Sequence, residues 1–260
     1  MQIRVYGRQW HRIPLTNVSS GVSNPATYKA FYTALSSGRG EIDTSWMQNK
    51  RSLGHALLST IIRPWELAYG RSPRILALCA GRGIVEGVWV EHGYDVTFHD
   101  CQEVSLQQVR ASYPGAKTLM GDLRSFAIPA GFDLIIIVAS DYLLDVGELE
   151  HLMRSTAGVL GPAGQLVVSS VCVISLLKVI KETVKTLIGW YRSPGWVFWG
   201  WWRTPAVFHR CAEKTGLRLA RTACATFVAP GKWLMKPRRA AAAMWPALAC
   251  GDMVFCYSRR

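Results

Sequence analysis

The chain has no CxxC pair and no zinc-like spacing of Cys and His, although it holds seven cysteines, at positions 79, 101, 172, 211, 224, 250 and 256. An odd number of thiols without paired spacing argues against a disulfide framework and fits reduced, partly buried residues in a cytoplasmic protein. No apolar run reaches eighteen residues without a charge, so no transmembrane helix is expected. The N-terminus, MQIRVYGRQWHRIP, lacks the apolar core and small-residue cleavage site of a signal peptide. No internal repeat is present. Acids are scarce: 17 Asp and Glu stand against 30 Lys and Arg, for a net charge of +13. Half of the residues are hydrophobic and 18% are charged, a balance that excludes a disordered chain. At 260 residues the chain can bury one large α/β core.

The missing acids are missing from one place. Residues 71–170 carry seven Lys/Arg against eleven Asp/Glu, whereas residues 171–240 carry thirteen Lys/Arg against only Glu182 and Glu213. The basic segment also holds six of the eleven tryptophans, at 190, 196, 199, 201, 202 and 233. That asymmetry points to an anionic partner, a membrane surface, or both.

Element signals divide the chain further. Residues 1–24 read as irregular; Asn24-Pro25 can open a short helix over 25–37, and a second helical pattern covers 45–69 with an interruption at Arg63-Pro64. The centre alternates strand and helix. Strands are expected at 74–79, 95–100, 116–122, 132–140 and 165–171, with helices at 83–93, 102–113 and 146–160 between them. Such alternation implies a doubly wound parallel sheet with right-handed crossovers. Residues 173–190 read as an amphipathic helix with Lys178, Lys181, Glu182 and Lys185 on one face, followed by an aromatic stretch broken by Pro and Gly. A helix from Pro205 to a Gly216 cap, strands at 217–228 and 252–258, and a basic insertion at 231–245 complete the chain.

The stretch LALCAGRG (76–83) ends the first core strand with two glycines, 81 and 83, that let backbone approach a ligand closely. An acid ends each of the next two strands, Asp100 and Asp122. A dinucleotide fold would want Gly-x-Gly-x-x-Gly, but the last of those positions is Glu86. The order of RILALCAGRG, VTFHDC, MGDLRSF, GFDLIIIVASDYLLD and LEHLMRSTAGVLGPAGQLVVSS resembles the class I S-adenosylmethionine (SAM) dependent methyltransferases over roughly residues 70–228 plus the last strand.

The resemblance implies an α/β, Rossmann-like, doubly wound seven-stranded sheet, mostly parallel with an antiparallel last strand. It implies a helical N-terminal lid (1–70), a SAM-binding core (71–172), a basic, Trp-rich cap insertion (173–203) and a C-terminal part of the core sheet (204–260). The cofactor implied is SAM, without metal. Its contacts would come from Cys79, Ala80, Gly81, Gly83, Asp100, Cys101, Gly121, Asp122, Leu123, Ala139 and Ser140, with Asp100 on the ribose hydroxyls and Asp122 on the adenine amino group. Tyr32 and Arg51 of the lid would reach the carboxylate. Asp141 would act as base or cap a turn, Tyr142 would orient the acceptor or serve as wall, and His209 would be a second base or a structural residue.

Three residues depart from the family's pattern. Ala77 stands where an acid is usual, Cys79 where a glycine is usual, and Arg82 where a small residue is common; Glu86, or an acid from the N-terminal helices, is expected to take over part of the role of the missing acid. Arg82 either faces solvent or meets the methionine carboxylate. No Asn/Asp-Pro-Pro-Tyr run and no Pro-Cys follows the fourth strand, which disfavours base-flipping nucleic-acid chemistry. The acceptor is therefore expected to be a small molecule, glycan or lipid-linked compound, methylated at oxygen or nitrogen. Segment 173–203 either makes peripheral membrane contact or caps the domain. The basic, aromatic segment motivates an RNA acceptor as the alternative, and the altered loop motivates a scaffold without catalysis.

Overall fold

The computed structural model describes residues 6–12, 44–170, 184, 196–227 and 250–260. The expected helix over 25–37, the body of the 173–190 helix and the 231–245 insertion lie outside the described residues.

Five parallel strands follow one another, joined by helices except between the third and fourth, where a turn-rich loop makes the crossover: β2 (Arg74–Leu78), β3 (Asp95–Asp100), β4 (Lys117–Met120), β5 (Leu134–Val138) and β6 (Gln165–Ser170). With β8 (Leu217–Phe227) and β9 (Cys250–Arg259) they form one seven-stranded sheet in the order β4-β3-β2-β5-β6-β9-β8. β9 runs antiparallel to both β6 and β8, so it alone opposes the other six. The order reverses between β2 and β5, which makes the carboxyl ends of those strands the place where an open α/β sheet receives a ligand.

Period-two alternation sends each strand's residues to two cores. Ile75, Ala77, Val96, Phe98, Leu134 and Ile136 face one side. There they pack against α1 (Thr44–Leu57), α2 (Arg63–Tyr69), α3 (Gly87–Glu91) and α4 (Glu103–Ser112) through Leu57, Trp65, Trp89 and Val109. Leu76, Leu78, Ile135, Ile137 and Val168 face the other side, against α5 (Val146–Val159) and α6 (Pro205–Lys214) through Leu149, Met153 and Phe208. All five residues of β5 are buried, as a central strand covered on both faces requires.

Three expectations are corrected. Residues 6–12 form β1 (Tyr6–Arg12), which pairs antiparallel with β7 (Trp196–Arg203), so the ends of the first and third sequence segments make a separate two-stranded ribbon. The helix expected over 83–93 is a turn followed by the five residues of α3. The interruption expected at Arg63-Pro64 is a π-helical turn, Leu58–Ile62, joining α1 to α2. Pro64 has no N–H to offer the Thr60 carbonyl one turn back, and Arg221 Nη1 donates to that carbonyl instead, at 2.7 Å.

α1 lies on the loop and helix that follow β2. A Cβ at Gly54 would stand 2.5 Å from the Val85 carbonyl and 2.9 Å from the Val88 side chain, and the Gly54 carbonyl accepts from Trp89 Nε1 at 3.0 Å. Helix propensity alone would make Gly54→Ala stabilising by about 1 kcal/mol. The contact reverses the sign: Gly54→Ala should lose about 1–3 kcal/mol in urea unfolding, because α1 must move off α3.

Candidate functional site

The tip of β2 is built from left-handed backbone. Cys79, Gly81 and Gly83 have φ of 53°, 56° and 69°. Gly83 is required twice over, since a Cβ there would also stand 2.9 Å from the Phe98 ring and 3.1 Å from Val109. Cys79 has no such exemption. A β-carbon in this region costs about 1–2 kcal/mol, and such strain persists where surrounding bonds impose it. Here the Cys79 N–H points to Nδ1 of the buried His99 at 3.5 Å, and Ala80 N–H donates to the His99 carbonyl at 2.9 Å. Burial pushes the His99 imidazole down to about 4, so the ring stays a neutral acceptor.

Asp100 completes the hold on this loop. Its Oδ2 accepts from Gly81 N–H and its Oδ1 from Gln102 N–H, both at 2.8 Å, and the residue is 6% exposed. Burial raises its pKa and the two amides oppose the rise. The expectation of a carboxylate offered wholly to a ribose is therefore refined: each oxygen already serves the backbone and keeps one further lone-pair direction.

One strand further, Asp122 is half-exposed and accepts from Arg124 N–H at 3.0 Å. Arg124 also bonds Glu148 at 2.8 Å, and Glu148 closes a capping box with Asp145 at the start of α5. Gly121 sits between the two tips; a Cβ there would stand 2.7 Å from the Phe126 ring. Cys101 is exposed beside this path. The Leu123 side chain, by contrast, is buried with Ile128 in the core.

The tip of β5 repeats the left-handed turn: Ala139 has φ of 48° and donates its N–H to the Ser169 carbonyl at 2.7 Å. Ser140 Oγ donates to the Val138 carbonyl at 3.1 Å and reaches the Cys79 carbonyl at 3.4 Å, linking the two strained tips. Asp141 and Tyr142 open a short 3-10 helix, Asp141–Leu143. The Asp141 carboxylate is turned inward, 3% exposed, and accepts from Ser170 Oγ at 2.9 Å. That fixes the loop and removes the exposure expected of an open base. Arg203, buried at the end of β7, donates from Nη2 to the carbonyls of Asp141 and Leu144. Gly200 of the same strand presses its backbone on this loop, since a Cβ there would lie 2.2 Å from the Tyr142 carbonyl oxygen. Ser170, Arg203 and Gly200 escaped the sequence reading; the Thr-Pro helix start after Arg203 is the nearest local signal, and it says nothing of the loop Arg203 reaches.

Two expected residues are not brought to these tips. His209 Nδ1 lies 3.1 Å from the Tyr257 hydroxyl, with its ring edge-on to Phe255. Tyr257 pairs with Leu166, whereas Met253 pairs with Ser170 at the tip, so this contact is four residues, or about 13 Å, down the sheet. Arg51 is committed to Glu91 at the far end of α3, through bonds of 2.9 and 2.5 Å. Tyr32 lies outside the described residues. Among the described residues no group of three His, Cys, Asp or Glu is arranged to hold a metal, and no helix is long and apolar enough to cross a membrane.

The fold is shared with methyltransferases of known structure. An S-adenosylmethionine dependent methyltransferase from Mesorhizobium loti aligns with a TM-score of 0.51 and 19% identity, covering 72% of this chain and 91% of its own. Magnesium protoporphyrin IX methyltransferase from Synechocystis PCC 6803, with bound SAH, aligns with a TM-score of 0.57 and 13% identity, covering 91% and 96%. A TehB-like SAM-dependent methyltransferase from Corynebacterium glutamicum gives 0.52 and 18%, covering 91% and 100%. No protein-family model matches the sequence, and no curated protein matches it. At these identities the likeness establishes the fold: a Rossmann-like methyltransferase sheet with its reversed penultimate strand.

Glu86 lies just behind the glycine loop, 3% exposed, before the first residue of α3. Burial pushes its carboxyl up to about 7, opposed by the backbone amides of Glu86 and Val85 and by Lys50 of α1, and reinforced by Asp100. Below the ordinary value of 4.5 folded and unfolded chains both hold this proton, and it costs nothing. As pH rises from there the unfolded chain ionises first, so stability falls until about 7 and then levels, by roughly 3 kcal/mol in all. Thermal unfolding between pH 4 and 8 should show this loss. Glu86→Gln should remove most of it, leaving the variant more stable than the native chain at pH 8 and no more stable at pH 4.

Proposed function

We propose that this chain is a SAM-dependent methyltransferase acting on oxygen or nitrogen of a small-molecule acceptor. The observation that carries the reading is the cradle at the β2 tip: three left-handed residues in five, tied down by Asp100, with a second carboxylate, Asp122, one strand further. The chemistry of this donor set fits the cofactor. Closely approachable backbone at Gly81 and Gly83 suits a bulky ligand at a strand tip. Asp100 retains lone pairs for hydroxyl donors, and Asp122 can accept from an exocyclic amino group. When bound, the cofactor supplies a methyl group on a sulfonium, transferred by in-line displacement.

The chain's own residues then align and exclude. Ser140 and Tyr142 border the acceptor side. Asp141 orders that border through Ser170, and Arg203 fixes its main chain. Tyr142 is held against the ribbon at Gly200, which supports a role as a wall or guide for the acceptor. The Synechocystis relative, whose name gives magnesium protoporphyrin IX as its substrate, supports a small-molecule acceptor. The glycan, lipid-linked and RNA acceptors, and membrane contact, rested largely on segments outside the described residues.

Isothermal titration of the full chain with SAM and with S-adenosylhomocysteine tests the reading. Both should bind. Asp100→Ala should weaken both by at least about tenfold, since it removes a charged acceptor and releases Gly81. Asp122→Asn should weaken them less, because an exposed acceptor is partly replaced by water. Absence of binding at millimolar ligand would overturn the reading and leave the fold intact.

A further inference from the structure

Arg82 stands between Gly81 and Gly83, in the turn that forms the cradle. Its side chain is half-buried and its Nη1 is fully buried without a hydrogen-bond partner. A buried guanidinium nitrogen left unpaired costs on the order of 1–3 kcal/mol, more than for a neutral group. Such orphans are rare in folded chains, and each calls for an explanation. The nearest acids do not supply one. Asp100 holds the amides of Gly81 and Gln102 and makes no ion pair with Arg82. Glu86 is answered by backbone amides and Lys50, and Asp122 by Arg124.

The turn itself keeps Arg82 in place. Gly83 N–H donates to the Ala80 carbonyl at 2.9 Å and Gly87 N–H to the Gly83 carbonyl at 2.7 Å, so the residue cannot swing away with a loose loop. A cation carried by the glycine turn with one dry, unpaired nitrogen lacks the anion that would complete it, and a carboxylate matches the planar guanidinium fork.

We propose that Arg82 is a ligand-binding residue that pairs with the carboxylate of the cofactor's amino-acid tail. The inference rests on the reading of the site as a SAM cradle. It gives this chain a carboxylate anchor inside the glycine turn, where Arg51, the lid residue expected for that task, is occupied by Glu91.

Two nucleosides separate this role from a structural one. S-adenosylhomocysteine carries the amino-acid tail, and 5′-methylthioadenosine lacks it. Titrated into the full chain, Arg82→Met should bind S-adenosylhomocysteine roughly 10- to 100-fold more weakly than the native protein. Its affinity for 5′-methylthioadenosine should change by less than about twofold. Arg82→Lys should recover part of the loss, since it restores the charge without the fork. Equal losses for both nucleosides, or no loss for either, would overturn the proposal. Should Arg82→Met fail to fold, the native protein and Arg82→Lys decide: the native chain should prefer S-adenosylhomocysteine by at least about tenfold and Arg82→Lys should narrow that preference. A preference near one, or one that Arg82→Lys leaves unchanged, sinks the idea. If the native protein binds 5′-methylthioadenosine but not S-adenosylhomocysteine, the carboxylate anchor is wrong while the nucleoside cradle stands. If it binds neither, the methyltransferase reading falls and the anchor with it.

Discussion

The bond from Gly81 N–H to Asp100 Oδ2 is the constraint on which the arrangement at the strand tips depends. It joins the turn after β2 to the end of β3, and it does so with a carboxylate that is itself nearly buried. Around it the turn must pass three times through left-handed backbone, once at a residue with a side chain. Asp100, the His99 carbonyl and the His99 ring all act from β3, so one strand end determines the shape of its neighbour's loop. This explains why Ala77 can replace an acid. An acid there would act on the loop from β2 itself; in this chain the holding charge acts from across the sheet, and Ala77 is buried among the apolar residues of one core.

A second set of contacts presses on the cradle from outside. α1 crosses the start of α3 with only a glycine between the backbones, and its Lys50 lies over the buried Glu86. On the opposite flank, β7 brings Gly200 against Tyr142 and Arg203 under Asp141 and Leu144. β1 matters here although it touches neither tip by itself. It pairs with β7 along its whole length, with an irregularity between Gln9 and Trp10 opposite Gly200. Bulges of this kind bend a ribbon and re-aim it. The loop around Tyr142 therefore depends on pairing between two segments far apart in the sequence, while the glycine turn depends on neighbours within the sheet.

That difference also decides what could be read from the sequence. The core strands were legible because burial on both faces leaves continuous apolar runs, as in Leu134–Val138, and because Gly and Pro mark their ends. Asp100 and Asp122 were legible because they are the last polar residues of such runs. What Asp100 bonds was not legible, since a carboxylate at a strand tip can serve a ligand or a backbone amide and the sequence is the same. β1 was missed because YGRQWHR has no apolar alternation to announce it; its partner lies about 190 residues away and supplies the reason for its extended form. α3 was read too long because GIVEGVWVEHG keeps a helical apolar pattern through residues that the structure spends on turns around Gly83. His209 and Arg51 were plausible by residue type and misplaced by geometry. Each found a nearer polar partner, Tyr257 and Glu91, well away from the cradle.

The electrostatics of the site follow from the same economy of acids. The core segment is acidic within a basic chain, and three of its carboxylates, Asp100, Glu86 and Asp122, surround the glycine turn without equal roles. Asp100 is ordered by amides and Asp122 by a partly exposed arginine. Glu86 has neither a side-chain ion pair at bonding distance nor solvent, and burial dominates its titration. Arg82 is the one cation carried by the turn itself. Were it placed there to neutralise these acids, an ion pair would join it to one of them; none does, and one of its nitrogens is left dry and unpaired. A charge kept unpaired at a buried position is costly unless something else completes it. The geometry that gives Asp100 and Asp122 other partners is thus also what leaves the arginine available for an anion that the chain does not contain.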